Sequence, residues 1–223
     1  MFRALWMKES VKLRWGLLAL VLLHLAVIAL TFLEVRRLFS LDHAETVWYN
    51  LVVLKQIPYG TFRLLGLVTA LVLACLQYAP ETAGGKLRLS LHLPCPTWAM
   101  VACHMGAGLL ALLIPLALDF VGLTVLMSAY YPFEVLVDTW AATSLWALGA
   151  VSAYLALAGA FLEPQRGAKL WYLCLGAGVI GLMLRRYNPG SAWPLVLWGL
   201  FFLALQALGN LHAAYRFRYR RVA

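Results

Sequence analysis

Residues 16–33 read GLLALVLLHLAVIALTFL, eighteen positions without one formal charge. Such a run is apolar on every face, so it has no polar side to turn toward water. A hydrocarbon layer about 30 Å thick needs about 20 residues of helix to cross it, and this run comes close to that length. Working outward, five further runs have the same character: 62–79, 98–131, 140–162, 170–184 and 192–208. The chain as a whole has 223 residues, of which 64% are hydrophobic and 12% charged, and its mean hydropathy is +0.83. A water-soluble core of this size has no room for so much apolar surface. Strand-length segments of alternating polarity, the mark of a membrane barrel, are missing, and helices satisfy their own backbone in lipid. The fold class expected is all-α integral membrane: six transmembrane helices in one domain spanning residues 1–223.

The flanks set the expected orientation. FRALWMKESVKLRW (2–15) mixes Trp6 and Trp15 with Arg3, Lys8, Lys12 and Arg14, which suits an interfacial helix over 1–15 with rings in the headgroup layer and cations on phosphates. A plain positive flank accounts for it equally. Leu33, Glu34 and Val35 stand where a leader would be cleaved, so the first run is expected to stay as a span. Alternating the spans puts twelve Lys and Arg on the side of both termini and six on the other, with Arg185 and Arg186 running against the trend. Both termini, and the polar segment 80–97, are therefore expected to be cytoplasmic. The net charge of +9 is divided among ends and loops, which fits anionic lipid and not nucleic acid. Cys75, Cys103 and Cys174 fall inside runs, Cys95 falls in the polar segment, and there is no CxxC pair; burial or a reducing compartment follows.

On the opposite side, TVWYNLVVLKQIP (46–58) is expected to form an interfacial helix ended by Pro58. The third run, 98–131, would be about 50 Å long as one helix, so it either projects from the membrane or breaks near Pro115 and Asp119.

Between the second and third runs lies PETAGGKLRLSLHLP, residues 80–94. A phosphate-binding GxxxxGK[ST] loop would need Gly at 80 and Ser or Thr at 87; the chain has Pro80 and Leu87, after an apolar helix instead of a strand. The chain is thus not expected to hold its own nucleotide. Gly84 and Gly85 suit a sharp turn, Pro94 and Pro96 suit a stop, and Lys86, Arg88 and His92 offer polar contacts. KLRLSLHL alternates with period two, which favours an extended strand, though a lone strand is marginal.

This stretch resembles the cytoplasmic loop after the second span of ABC-2-type transporter permeases, where a Glu is followed by a glycine turn, a leucine-rich segment and a Leu-Pro pair. The basic amphipathic start is similar to that family's elbow helix, and six spans with both ends inside match its topology. Gly85 and Lys86 depart from the family's Gly-Thr, and RRYNPGS (185–191) is short where many members place re-entrant helices. The resemblance implies a permease subunit of an ABC transporter in the cytoplasmic (inner) membrane, an exporter. Its partners would be an ATP-binding cassette subunit, which holds the ATP and Mg, and a second copy or related permease. Glu81, Gly84, Gly85, Lys86, Arg88, His92 and Pro94 would form the coupling element docked on that ATPase, with Glu81 hydrogen-bonded to the elbow helix or paired with its cations. A generic positive loop is the competing reading.

Polar residues inside the runs are costly in lipid and face protein or water. His24, His104 and Asp119 are the transport-path candidates. His24 is placed near mid-bilayer, His104 some 10 Å in from the cytoplasmic face, and Asp119 near the outer interface, lining an exit or capping a broken helix. Helix-to-helix hydrogen bonding explains both histidines without a ligand. Cys103, His104 and Met105 are soft ligand types, but successive helical residues diverge by about 100°, and a haem needs two histidines at one depth. GAGVIG (176–181) is expected to let a neighbouring helix approach. Ser-His-Asp sets, paired carboxylates and metal clusters are not apparent, so neither catalysis nor a resident cofactor is expected in this chain. An integral redox or haem/quinone subunit, or a membrane anchor that transports nothing, are the alternatives.

Overall fold

A computed structural model describes residues 2–53, 58–83, 96–185 and 193–219. These form seven helices and, among the described residues, no strand: α1 Phe2–Leu41, α2 Ala44–Val52, α3 Phe62–Ala83, α4 Thr97–Tyr130, α5 Phe133–Leu162, α6 Arg166–Met183 and α7 Trp193–Tyr219. Five of them, α1, α3, α4, α5 and α7, are long and apolar enough to cross a membrane. The chain is a multi-pass membrane protein.

The sixth expected span, 170–184, lies within and one residue beyond α6, which is only 18 residues long. Arg166, Lys169 and four glycines dilute its apolar character, which is why it does not stand with the other five.

Two sequence expectations change. The segment 1–15 is not a separate interfacial helix, because α1 runs unbroken for 40 residues from Phe2; nothing between Trp15 and Gly16 stops propagation once a helix has formed. Of the two readings left open for the third run the structure shows the unbroken helix: α4 continues for 34 residues through Pro115, as a proline in a membrane helix is tolerated where neighbours shield the freed carbonyl. On the far side, α2 ends at Val52, well before Pro58, so the proline is not its stop.

α5 is the centre of the bundle. Of its most apolar stretch 72% is buried, against 17% for α1 and 11% for α7, and α3, α4, α6 and α7 all pack on it. Its sequence explains this: Gly149, Ala150, Ala153, Ala156, Ala158 and Gly159 keep its surface low, so neighbouring backbones come close. At Gly176 of α6 an added methyl would run into Ala156, which fits the expected close approach, whereas Gly178 and Gly181 face open space.

Two large apolar clusters divide the bundle along its length. One gathers Leu20, Ala70, Leu73, Leu112, Leu116 and Tyr154; the other gathers Val35, Leu65, Leu123, Leu126 and Met127, with Val27 and Ile28 against it. The second cluster holds Tyr59, whose hydroxyl is 3.0 Å from Thr139 Oγ1. Burial raises this phenol above its ordinary value, the Thr139 hydrogen bond opposes that, and Asp138 adds to the rise. Burial, then Tyr59, pushes Tyr131 up to about 12, so both phenols stay neutral at that end.

Candidate functional site

Polar side chains of α1 enter the bundle at two levels. The lower level is built at the start of α1, where Glu9 and Lys12 lie three residues apart and so share a helix face. Lys8 Nζ reaches Glu81 Oε1 of α3 at 2.7 Å. Lys12 Nζ contacts the same oxygen at 3.2 Å, Glu9 at 2.9 Å, and donates to the Gln77 carbonyl at 3.0 Å. Gln77 donates to Glu9 Oε2 at 3.0 Å and to the His104 carbonyl at 2.7 Å, and accepts from the Tyr154 hydroxyl at 2.6 Å. His104 Nδ1 lies 3.2 Å from Glu9 Oε1, its ring set edge-on to Tyr78 at 4.8 Å. Glu9, Gln77 and Glu81 are all buried. Two ammonium groups answer two carboxylates, so the cluster carries no net charge with His104 neutral, the condition under which buried charges are tolerable. Four helices are tied together here: α1, α3, α4 and α5.

Gly108 makes room for this network. A methyl on its Cα would meet Gln77 Oε1 and the Tyr154 hydroxyl, so only glycine lets that hydrogen bond cross the surface of α4.

The upper level consists of three residues. His24 Nδ1 is 2.7 Å from Asp119 Oδ1 of α4, and its Nε2 is 2.8 Å from Thr69 Oγ1 of α3. His24 and Thr69 are wholly buried and Asp119 nearly so. The expectation that His24 and Asp119 stand at different depths is therefore wrong: they touch. The position of His24 within 16–33 misleads, because α1 begins at Phe2 and so extends as far below His24 as α4, beginning at Thr97, does below Asp119. Glu9 and His24 are 15 residues apart on α1, and their partners His104 and Asp119 are also 15 apart on α4. The two helices consequently run parallel, with their polar rungs about 22 Å apart.

The structure thus brings all three transport-path candidates into hydrogen-bonded contacts between helices, in two separate places. Of the coupling candidates, Glu81 sits in the lower cluster, paired with cations of the 1–15 segment. Gly84, Gly85, Lys86, Arg88, His92 and Pro94 lie outside the described residues. Sequence reasoning did not single out Glu9, Lys12, Thr69, Gln77 or Tyr154 for these roles. Gln77 and Glu81, four apart near the end of an apolar run, and Glu9 with Lys12, three apart, are the signals that would have found the lower cluster.

A third tie lies at the same end. Glu163, buried at the close of α5, accepts from the Gln165 backbone at 3.2 Å and pairs with Arg216 of α7 at 3.4 Å. Arg218 donates to Thr97 Oγ1 at the start of α4, and Tyr172 of α6 donates to the Gly209 carbonyl at 2.7 Å. The first turns of α1 and the last turns of α7 therefore meet at the end of the bundle where α4 begins.

On the flank of α1 and α4, Trp6, Ser10, Arg14, Leu110 and Ile114 line a groove of about 440 Å³ that reaches Glu9. Both ring nitrogens of His24 are already engaged, and among the described residues no group of three or more His, Cys, Asp or Glu is placed to hold a metal ion. No family model, curated protein or solved structure matches the chain.

Proposed function

We propose that the chain is the membrane-spanning permease subunit of an ABC-2-like transporter, an exporter driven by a separate ATP-binding subunit that docks on residues 84–94. The observation that carries this reading is the clamp on Glu81. This residue stands two positions before the end of α3, where the polar stretch begins, and is gripped by Lys8 and Lys12 from the first turns of α1. A push delivered to that stretch would reach α1 and α3 together, and through Gln77 it would reach α4 and α5. Transport needs such a rigid connection between a site of force and several spans. In this reading the end bearing both termini faces the cytoplasm, in agreement with the excess of Lys and Arg there. The sparsely buried α1 and α7 supply surface for a second copy or a related permease, and ATP and Mg belong to the partner chain.

The test is co-purification from native membranes. The native chain is expected to bring down an ATPase, and combined replacement of Gly84, Gly85, Lys86 and Arg88 by Ala or Ser should release it while the variant still runs as a single species in detergent. An ATPase that stays bound to the variant, or none with the native chain, leaves a membrane anchor as the better account; a Soret band in the purified native chain would turn the reading toward a haem subunit.

A further inference from the structure

The His24–Asp119–Thr69 contact lies at the seam between the two apolar clusters. On α1, Leu20 belongs to one cluster and Val27 and Ile28 to the other; on α4 Leu116 and Leu123, and on α3 Ala70 and Leu65, divide in the same way. One polar level thus crosses three helices with apolar side chains above and below it. Burying an ionisable pair there has a cost that simple packing avoids, since well-packed apolar residues at such positions stabilise at least as well.

The charge of the pair decides what it can do. Asp119 as carboxylate with neutral His24 has a net charge of −1, and among the described residues no Lys or Arg is paired with it. Adding one proton gives either an imidazolium–carboxylate pair or two neutral groups, both uncharged overall. From α3 the Thr69 hydroxyl contacts His24 and from α4 the Asp119 carboxylate; the nearest formal charge on α3 is Arg63, six residues before Thr69. Glu45 and Tyr49 of α2 are exposed and belong to the helix that follows the far end of α1. On α1 itself the nearest ionisable groups are Arg14 below and Glu34 above, each ten residues away. The uncharged form is therefore the one compatible with a closed bundle.

We propose that His24 and Asp119, with Thr69, form a binding site for one proton, held when the bundle is closed at this level and released to water when the bundle opens there. The proton enters from water onto the imidazole. With Nδ1–H donating to Asp119, the incoming proton occupies Nε2, and Thr69 turns from donor to acceptor, its own hydroxyl hydrogen free to swing to the carbonyl one turn earlier on α3. No bond other than N–H is made, and no electron moves. Because the closed form binds more protons than the open form, raising pH shifts the balance toward opening. This inference stands apart from the transporter reading, as it needs neither an ATPase nor a substrate.

The test uses the full-length chain in phospholipid nanodiscs, labelled with 15N-histidine, the His24 signals being assigned by their loss in His24→Gln. Across a pH series the native ring is expected to pass from protons on both nitrogens to one; at the highest pH where the native ring still carries both, Asp119→Asn should leave one nitrogen bare, and Asp119→Glu, which keeps the acid, should restore the doubly protonated ring. Backbone hydrogen exchange in peptides covering 17–28 and 112–123, corrected for the intrinsic base-catalysed rate, should show an opening equilibrium that rises by up to about tenfold per pH unit above the release point in the native chain, and stays flat in Asp119→Asn. A native His24 with one bare nitrogen at every pH between about 5 and 9, or exchange without that slope, overturns the proposal and leaves the three residues as a fixed bracket. The native pH series decides this even if a variant does not fold.

Discussion

Lys8 and Glu81 make the shortest ion pair of the lower cluster, at 2.7 Å, yet the two residues should not be equally valuable. The Lys8 side chain is 43% exposed and Glu81 only 4%, so removing the lysine costs a partly solvated interaction while removing the acid leaves Lys12 short of a buried partner. Lys8→Gln is expected to lower stability by about 0.5 kcal/mol and Glu81→Gln by about 3 kcal/mol, read as midpoint shifts in detergent-induced unfolding followed by circular dichroism. Equal shifts would mean that Glu81 is better hydrated than its burial indicates. At Gly108 the expected cost has another origin. Gly108→Val would wedge a branched side chain between Gln77 and Tyr154, with a loss of about 2 kcal/mol from overpacking in the same assay; an unchanged midpoint would show that the hydrogen bond can move aside. At this scale the sequence disclosed His24, His104 and Asp119 as polar groups inside the runs and a pairing of Glu81 with cations of 1–15, but neither the buried Glu9, Thr69 and Gln77 nor the meeting of His24 with Asp119. His24 and Asp119 are 95 residues apart along the chain, and only the relative height of α1 and α4 unites them.

At the level of helices, the apolar runs located the elements well, because lipid demands unbroken backbone hydrogen bonding wherever a run is apolar. The run 62–79 lies within Phe62–Ala83 and 98–131 nearly coincides with Thr97–Tyr130. Ends were harder to read. Apolarity stops at the edge of the hydrocarbon, whereas a helix continues into water as long as its residues permit, which is why α1 reaches Leu41 and α7 reaches Tyr219. The order of packing was illegible for a related reason: α5 has an apolar pattern like the others, and its central place depends on small residues meeting the small residues of α6. Ala156→Leu, filling the contact with Gly176, is therefore expected to loosen α6 from α5. A loss of about 2 kcal/mol, together with faster proteolysis between residues 163 and 166, would support this, and a neutral result would place the two helices further apart.

For the whole molecule, the meeting of α1 and α7 with the start of α4 makes a prediction about sidedness. Reporter domains fused to either end should report the same side of the membrane, which in the proposed orientation is the cytoplasmic one. Opposite results at the two ends would require an odd number of crossings and would contradict the Arg218–Thr97 and Glu9–His104 contacts. Length and composition had already indicated a polytopic helical bundle; the division into two apolar clusters separated by a polar level had no counterpart in any one-dimensional pattern.

The matched spacing of the two rungs restricts how this bundle can deform. Sliding α1 along α4 by a single turn, about 5.4 Å, would uncouple Glu9 from His104 and His24 from Asp119 in the same instant, with no new partner in register for either. Shear between these helices is thereby disfavoured, and any movement that opens the upper level should keep this register, tilting α1 and α4 about the lower rung instead of sliding one past the other.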